Sequence, residues 1–267
     1  MDKIKLLFNL NNSVFGFSHS ILRIIRFPKE IKTRKIRNLN TELIRYKKSD
    51  RCYIIGLGPS LKDVNFAKLD GDIIATNRYY RFDSDGVYKP TFYCIVDKAF
   101  FIGGAKDDLK KILLQYPDTC FVLNGQYAPA IRKQFPEIRH GYYSFMWNGA
   151  MSSKKKLDFT HILPAVNNVV HSGIMLGMYC GYKEIILLGC DFNSFASSKM
   201  AHCYADANNA RVLPMDYELY CYSLAAHCHN EFQKYADAQG VKILNATKSS
   251  LIDSYPFDDR LMEKIYF

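Results

Sequence analysis

The sequence predicts one α/β domain, Rossmann-like with a mostly parallel sheet, preceded by a basic helical arm. Three observations predict it. Short apolar strands alternate with helix-length segments from Cys52 onward, the pattern of a sheet covered on both faces. The first strand, Cys52-Tyr53-Ile54-Ile55, runs directly into a glycine turn, Gly56-Leu57-Gly58. The charge is also lopsided. Residues 1–51 hold 13 of the 36 Lys and Arg but only 4 of the 26 Asp and Glu, so +9 of the net +10 belongs to that segment. The body is nearly neutral, and a domain that grips nucleic acid carries its own basic face.

Composition narrows the class further. With 267 residues and 48% hydrophobic content, the chain can bury a full core. No apolar run nears the roughly 18 residues of a membrane span, and the first apolar stretch, residues 4–8, is too short for a secretory signal. None of the eight cysteines is spaced as CxxC, which argues against a zinc site or a disulfide framework. Free thiols in core segments fit a reducing, cytoplasmic compartment.

The arm, residues 1–49, reads as helical segments. Ile21, Leu22, Ile24, Ile25 and Phe27 interleave with Arg23 and Arg26, Pro28 breaks the pattern, and Lys29, Lys32, Arg34, Lys35 and Arg37 follow. Such a helix suits an anionic membrane interface, each basic residue contributing roughly 1 kcal/mol near the surface. It equally suits packing on the body or on another copy in a homo-oligomer. In the body, residues 50–267, strands are expected at residues 52–55, 72–77, 91–97, 119–124, 184–190 and 241–245. Helices are expected to open at Pro59, to span residues 172–180 and to span residues 216–239. Ligands bind such sheets outside the carboxyl ends of the strands, which singles out Gly56, Gly58, Pro59, Ser60, Asn77, Asp97 and Asp191.

Four motifs are candidates for chemistry. The turn Gly56-Leu57-Gly58-Pro59-Ser60 feeding a helix presents backbone N–H groups suited to a phosphate, or is only a tight turn. His171-Ser172-Gly173 offers Ser172 as a helix cap that could also receive an anion. Gly173, Gly177 and Gly181 would let that helix approach the sheet. Cys190-Asp191-Phe192-Asn193 closes a strong strand, and Asp191 could bond a sugar hydroxyl. His202 lies in a polar loop beyond it, where a base with histidine's ordinary pKa of ~6.5 is useful. His227 and His229, on the long helix, are weaker alternatives. Finally, Asp83-Ser84-Asp85 matches a short metal-holding signature but is also an ordinary turn.

In this order, Gly58-Pro59-Ser60-Leu61-Lys62, Thr76-Asn77-Arg78-Tyr79-Tyr80, Ser172-Gly173, Gly181-Tyr182-Lys183-Glu184-Ile185 and Leu188-Gly189-Cys190-Asp191-Phe192 resemble the bacterial sialyltransferases of glycosyltransferase family forty-two. Residues 52–250 are also similar to the domain shared by motility-associated glycosylation factors and a hydroxymethylpterin pyrophosphokinase. The resemblance implies a glycosyltransferase-A-like domain and an inverting transfer from a CMP-activated acidic sugar, with no metal or other cofactor. It would lay Gly58, Pro59 and Ser60 against the phosphate and Asn77 against the nucleotide or donor sugar. Ser172 and Gly173 would meet the donor carboxylate or phosphate, and Cys190, Asp191 and Phe192 the cytidine. His202 would be the general base, and Tyr204 would bond the leaving phosphate. The family has Asn where this chain has Leu57 and Tyr where it has Asn193. The expected acceptor is a cell-surface glycan or glycolipid at the inner face of the cytoplasmic membrane. The alternatives are an ATP- and magnesium-dependent pyrophosphokinase, for which Asp83, Asp85 and Asp97 would matter, or a non-catalytic scaffold of a glycan-assembly complex.

Overall fold

The computed structural model describes residues 3–135, 142–146, 151–165, 168–197, 202–205 and 213–266. Its helices are α1 (Lys3–Asn38), α2 (Tyr79–Phe82), α3 (Ala99–Ile102), α4 (Lys106–Gln115), α5 (Ala128–Gln134), α6 (Val169–Tyr179), α7 (Met215–Gln239) and α8 (Asp259–Tyr266). Its strands are β1 (Arg51–Ile55), β2 (Asp72–Thr76), β3 (Phe92–Ile95), β4 (Cys120–Asn124), β5 (Tyr142–Ser144), β6 (Glu184–Leu188) and β7 (Lys242–Asn245). They form one seven-stranded sheet in the order β5-β4-β3-β2-β1-β6-β7, parallel at every pairing.

Alternation along each strand explains the layers. Tyr53, Ile55, Tyr93, Ile95, Ile186 and Leu188 face one side, packed with Leu109 and Ile112 of α4, Ile131 of α5 and Ile265 of α8. Cys52, Ile54, Phe92, Cys94, Ile185 and Leu187 face the other, packed with Ile174 and Met175 of α6 and Phe232 of α7. Side chains of successive strand residues point to opposite faces, so near-continuous apolar strands require helices on both. All eight cysteines are free thiols.

Chain order reverses between β1 and β6. Strands β2 to β5 grow outward from one edge of β1, and β6 and β7 from the other. This switch point is where α/β sheets open a crevice. At it, the Gly56 N–H donates to the Leu188 carbonyl at 2.7 Å and the Gly58 N–H to the Gly189 carbonyl at 2.8 Å.

The arm differs from its sequence reading. One helix continues through Pro28 to Asn38; proline removes one backbone donor, and the turns on either side carry the helix past it. A 3₁₀ segment, Leu39–Tyr46, then packs on the body. Asn40 and Leu43 are fully buried, and the Asn40 amide donates to the carbonyls of Tyr143 at 2.9 Å and Phe159 at 2.7 Å. The body therefore begins near residue 37 rather than 50. Within the sheet, β5 and the helices α4, α5 and α8 are additions to the elements read from sequence. Among the described residues no helix is long and apolar enough to cross a membrane.

Candidate active site

Outside the ends of β1 and β6 lies a cavity of about 280 Å³, lined among others by Gly56, Gly58, Pro59, Asn77, Cys190, Asp191, Phe192 and His202. The structure thus brings together eight residues singled out from sequence. His202 arrives from a distant loop because the Cys203 N–H donates to the Leu57 carbonyl at 2.9 Å and the Cys203 side chain is buried.

The glycine turn is built differently from the expectation. Pro59–Asp63 is a five-residue 3₁₀ turn, not a helix. The N–H groups of Gly56 and Gly58 are bonded to the β6 end, and that of Ser60 donates to Asp191 Oδ1 at 3.2 Å. Ser60 Oγ also donates to Asp191 Oδ2 at 2.7 Å. Ser60 is therefore a clamp on Asp191 and not a member of the cavity lining. These glycines are needed for close approach: a Cβ on Gly56 would meet the Gly189 carbonyl carbon and Cys190 Sγ, both at 2.8 Å.

Ser172 and Gly173 are also displaced from their expected role. Helix α6 starts at Val169, and its cap is Asn168, whose side chain accepts from the Val170 N–H at 2.6 Å. Ser172 lies one turn further on and is fully buried. At Gly173 a Cβ would come 2.9 Å from Ile54, and at Gly177 3.0 Å from Ile185, so these glycines serve helix-to-sheet contact. It is Asn168, Val169 and Val170 that reach the cavity. The first-turn N–H groups of this 11-residue helix lack intrahelical partners and carry the positive end of the helix dipole. Asn167-Asn168 before an apolar run is the signal that would have located the cap.

Two lining residues carry unusual backbone. Asn77 has φ +41° and Phe192 φ +58°, a left-handed conformation that is costly for a phenylalanine and concentrates at functional sites. The Asn77 carbonyl accepts from Tyr93 Oη at 2.9 Å. Its side-chain Oδ1 is shielded from solvent and has no hydrogen-bond partner among the described residues, an orphaned acceptor on a residue that lines the cavity. Cys190 is held by an N–H bond to Thr247 Oγ1 at 3.1 Å, and burial pushes its thiol up to about 12, so it lines the cavity as a neutral group.

Long helix α7 contributes Tyr222, which sequence reading passed over. Its ring lies 4.6 Å from that of Phe192, and its hydroxyl shares a hydrogen bond with Ser194 Oγ. Both residues line the cavity. A tyrosine hydroxyl thus enters the cavity lining from α7. His229 is a core residue: it is fully buried, its Nδ1 bonds Tyr255 Oη at 2.9 Å, and its ring packs 4.3 Å from His171. Burial holds its imidazole well below the ordinary range and lowers His171 to about 3, so both are neutral. His227 does not line the cavity.

Asp97, exposed at the end of β3, accepts from the Ala99 N–H at 2.9 Å and stays outside the cavity. Asp83 is buried and spent on the Val87 N–H at 2.9 Å and Tyr116 Oη at 2.9 Å, which is turn chemistry. Tyr204 stacks on His202 with centroids 5.0 Å apart at 10°, but it lines a neighbouring groove and not the cavity.

No protein-family model matches this chain, and comparison with curated proteins finds no match. Solved structures do match. The sialyltransferase CstII from Campylobacter jejuni, solved with the substrate analogue cytidine-5′-monophosphate, is 18% identical with a TM-score of 0.50, over 78% of this chain and 84% of that one. The chain shares its fold. The MAf glycosyltransferase from Magnetospirillum magneticum AMB-1 is 13% identical with a TM-score of 0.51, over 84% of this chain and 39% of that much longer protein. These are the two branches that the sequence motifs resemble, and the likeness to each is one of fold.

Proposed function

We propose that this protein is an inverting, metal-independent glycosyltransferase that moves sialic acid or a related keto-sugar acid from a CMP donor to a hydroxyl of a glycan or glycolipid. The observation that carries the reading is His202, held at the mouth of a switch-point cavity by the Cys203–Leu57 backbone bond. The fold shared with a sialyltransferase solved with CMP supports the choice of nucleotide. In the reaction His202 takes the proton of the acceptor hydroxyl as its oxygen attacks the anomeric carbon. A new carbon–oxygen bond forms, and the bond from that carbon to the CMP phosphate oxygen breaks, the electron pair leaving with the phosphate. The α6 N-terminus and the hydroxyl pair of Tyr222 and Ser194 stabilise that departing charge. Asn77, at the end of β2, contacts the nucleotide or the donor sugar from the cavity wall.

The test is turnover of CMP-, UDP- and GDP-sugars and of ATP, with and without EDTA. CMP release from one acidic sugar, indifferent to EDTA, is expected. Release that EDTA abolishes would overturn the metal-independent reading and favour the pyrophosphokinase. Against that rival, the sole carboxylate among the described residues that line the cavity is Asp191, already bonded twice to Ser60. Tyr222→Phe is expected to lower kcat about tenfold with a smaller change in CMP affinity; unchanged kcat would remove Tyr222 from leaving-group stabilisation.

We further propose that α1 lies on an anionic membrane surface. Ile4, Leu7, Leu10, Val14 and Phe17 are all at least half exposed on it, and residues 3–29 contain no acidic residue. Deleting residues 1–33 should abolish flotation with phosphatidylserine vesicles while turnover on a short soluble acceptor persists. The cut must spare Asn40 and Leu43, which belong to the core. Flotation that survives the deletion would refute the assignment.

A further inference from the structure

Beyond β7 the chain folds back over the end of β6 and takes hold of it at three backbone groups. Thr247 Oγ1 accepts from the Cys190 N–H at 3.1 Å. Ser250 Oγ donates to the Cys190 carbonyl at 2.7 Å. The Leu251 N–H donates to the Asp191 carbonyl at 3.0 Å. Strand β6 lies between β1 and β7, and Ser60, just past β1, clamps the Asp191 carboxylate. The strand end is thus held from both neighbours where Phe192 turns at φ +58°.

The holding segment is itself fixed. Asn245 and Thr247 are fully buried. Asn245 Oδ1 accepts from the Thr247 N–H at 3.0 Å, and its Nδ2 donates to the Ile252 carbonyl at 3.0 Å. Thr247 Oγ1 spends its own proton on the Leu187 carbonyl at 3.2 Å. Ser250 Oγ accepts from the Ile252 N–H at 3.1 Å, and Ile252 lines the cavity. Tyr266 of α8 braces the same segment, accepting from the Lys248 N–H at 3.2 Å and donating to the Ala246 carbonyl at 3.0 Å.

A left-handed phenylalanine persists only where its surroundings over-determine it. The Phe192 ring packs on Tyr222, and both line the cavity. A β6 end free to relax would carry Phe192 out of this conformation and change the cavity wall. Neither Thr247 nor Ser250 lines the cavity, so their hydroxyls act on its shape through the backbone of Cys190.

We propose that Thr247 and Ser250 are positioning residues for the donor, holding the Cys190–Phe192 turn in the shape that receives the nucleotide. The assignment rests on the CMP-donor reading above and extends it to two residues that stand behind the cavity wall.

The test combines CMP titration by calorimetry with amide hydrogen exchange of the peptide spanning residues 188–194 in the ligand-free chain. Thr247→Val keeps the side-chain shape and loses both hydroxyl bonds, whereas Thr247→Ser keeps the hydroxyl. Thr247→Val and Ser250→Ala should each speed exchange in this peptide and weaken CMP roughly tenfold, with Thr247→Ser within about twofold of wild type. Ser250 is only partly buried, so Ser250→Ala decides the matter if Thr247→Val does not fold. Thr91→Val is the control for general destabilisation. It removes a hydroxyl bond to Asp72 Oδ1 of 2.8 Å at the opposite edge of the sheet and should leave exchange in this peptide and CMP affinity unchanged. Wild-type CMP affinity in Thr247→Val and Ser250→Ala, with or without faster exchange, would overturn the proposal. An equal loss of affinity in Thr91→Val, or no rescue by Thr247→Ser, would do the same. A wild-type chain that binds no CMP would remove the donor reading and the positioning role with it; one that binds CMP no better than the variants removes the positioning role alone.

Discussion

Replacing His202 by alanine is expected to lower sugar transfer by roughly 10²–10⁴, the usual contribution of a positioned general base. CMP affinity should change far less, because the cavity is also bounded by the glycine turn, the α6 terminus and the β6 end. The fold should be intact, since the loop is anchored by the buried Cys203 and its backbone bond to Leu57. Measuring transfer and CMP affinity on the same preparation separates these effects. Near-normal transfer would exclude His202 as the base. His229 could not replace it, because it is sealed in the core with its Nδ1 already bonded to Tyr255.

The second large effect is expected from Gly56→Ala. The backbones of β1 and β6 cross so closely at the switch point that the added methyl would strike the Gly189 carbonyl carbon and Cys190 Sγ at 2.8 Å. Gly189 cannot retreat easily: its own φ is +63°, and a Cβ there would in turn meet the Gly56 carbonyl oxygen at 2.7 Å. Overpacking of this kind costs about 1–3 kcal/mol, at roughly 2–4 °C of Tm per kcal/mol for a domain near this size. A fall in Tm of about 2–12 °C is therefore expected, with CMP binding weakened at least tenfold because the strand ends that bound the cavity must separate. Wild-type Tm and CMP affinity in this variant would show that the crossing is looser than described.

Much of the fold was legible because its strands are fully buried and therefore almost uniformly apolar. Cys52-Tyr53-Ile54-Ile55 and Glu184-Ile185-Ile186-Leu187-Leu188 stand out from their neighbours, and the long amphipathic α7 was placed within one residue of its observed start. Three-residue β5 was missed because it is shorter than any window in which periodicity registers. The start of α6 was placed three residues late because Ser172 is a good cap by type, while Asn168 is the residue with extended backbone before the first turn. Pro28 was given more weight than it has inside a 36-residue helix.

For the site, residue type and strand-end position were enough to single out Gly56, Gly58, Asn77 and Asp191, because ligands collect at the carboxyl edge of a parallel sheet whatever their chemistry; His202 is marked by its place in the polar loop beyond, and Phe192 by the resemblance. That is what the sequence by itself determined: the sheet, its ligand-binding edge and the residues standing along it. Only the tertiary structure decided which of those residues meet. The strand order put β6 beside β1, so Ser60 became the clamp on Asp191 and Asp97 was left outside. The packing of α7 against α6 and β7 brought Tyr222 to a cavity whose other members are far from it in sequence. The physical reason is that spacing along a chain encodes local periodicity, whereas a site is assembled from contacts between distant segments, and those depend on how two helical layers close over a finished sheet.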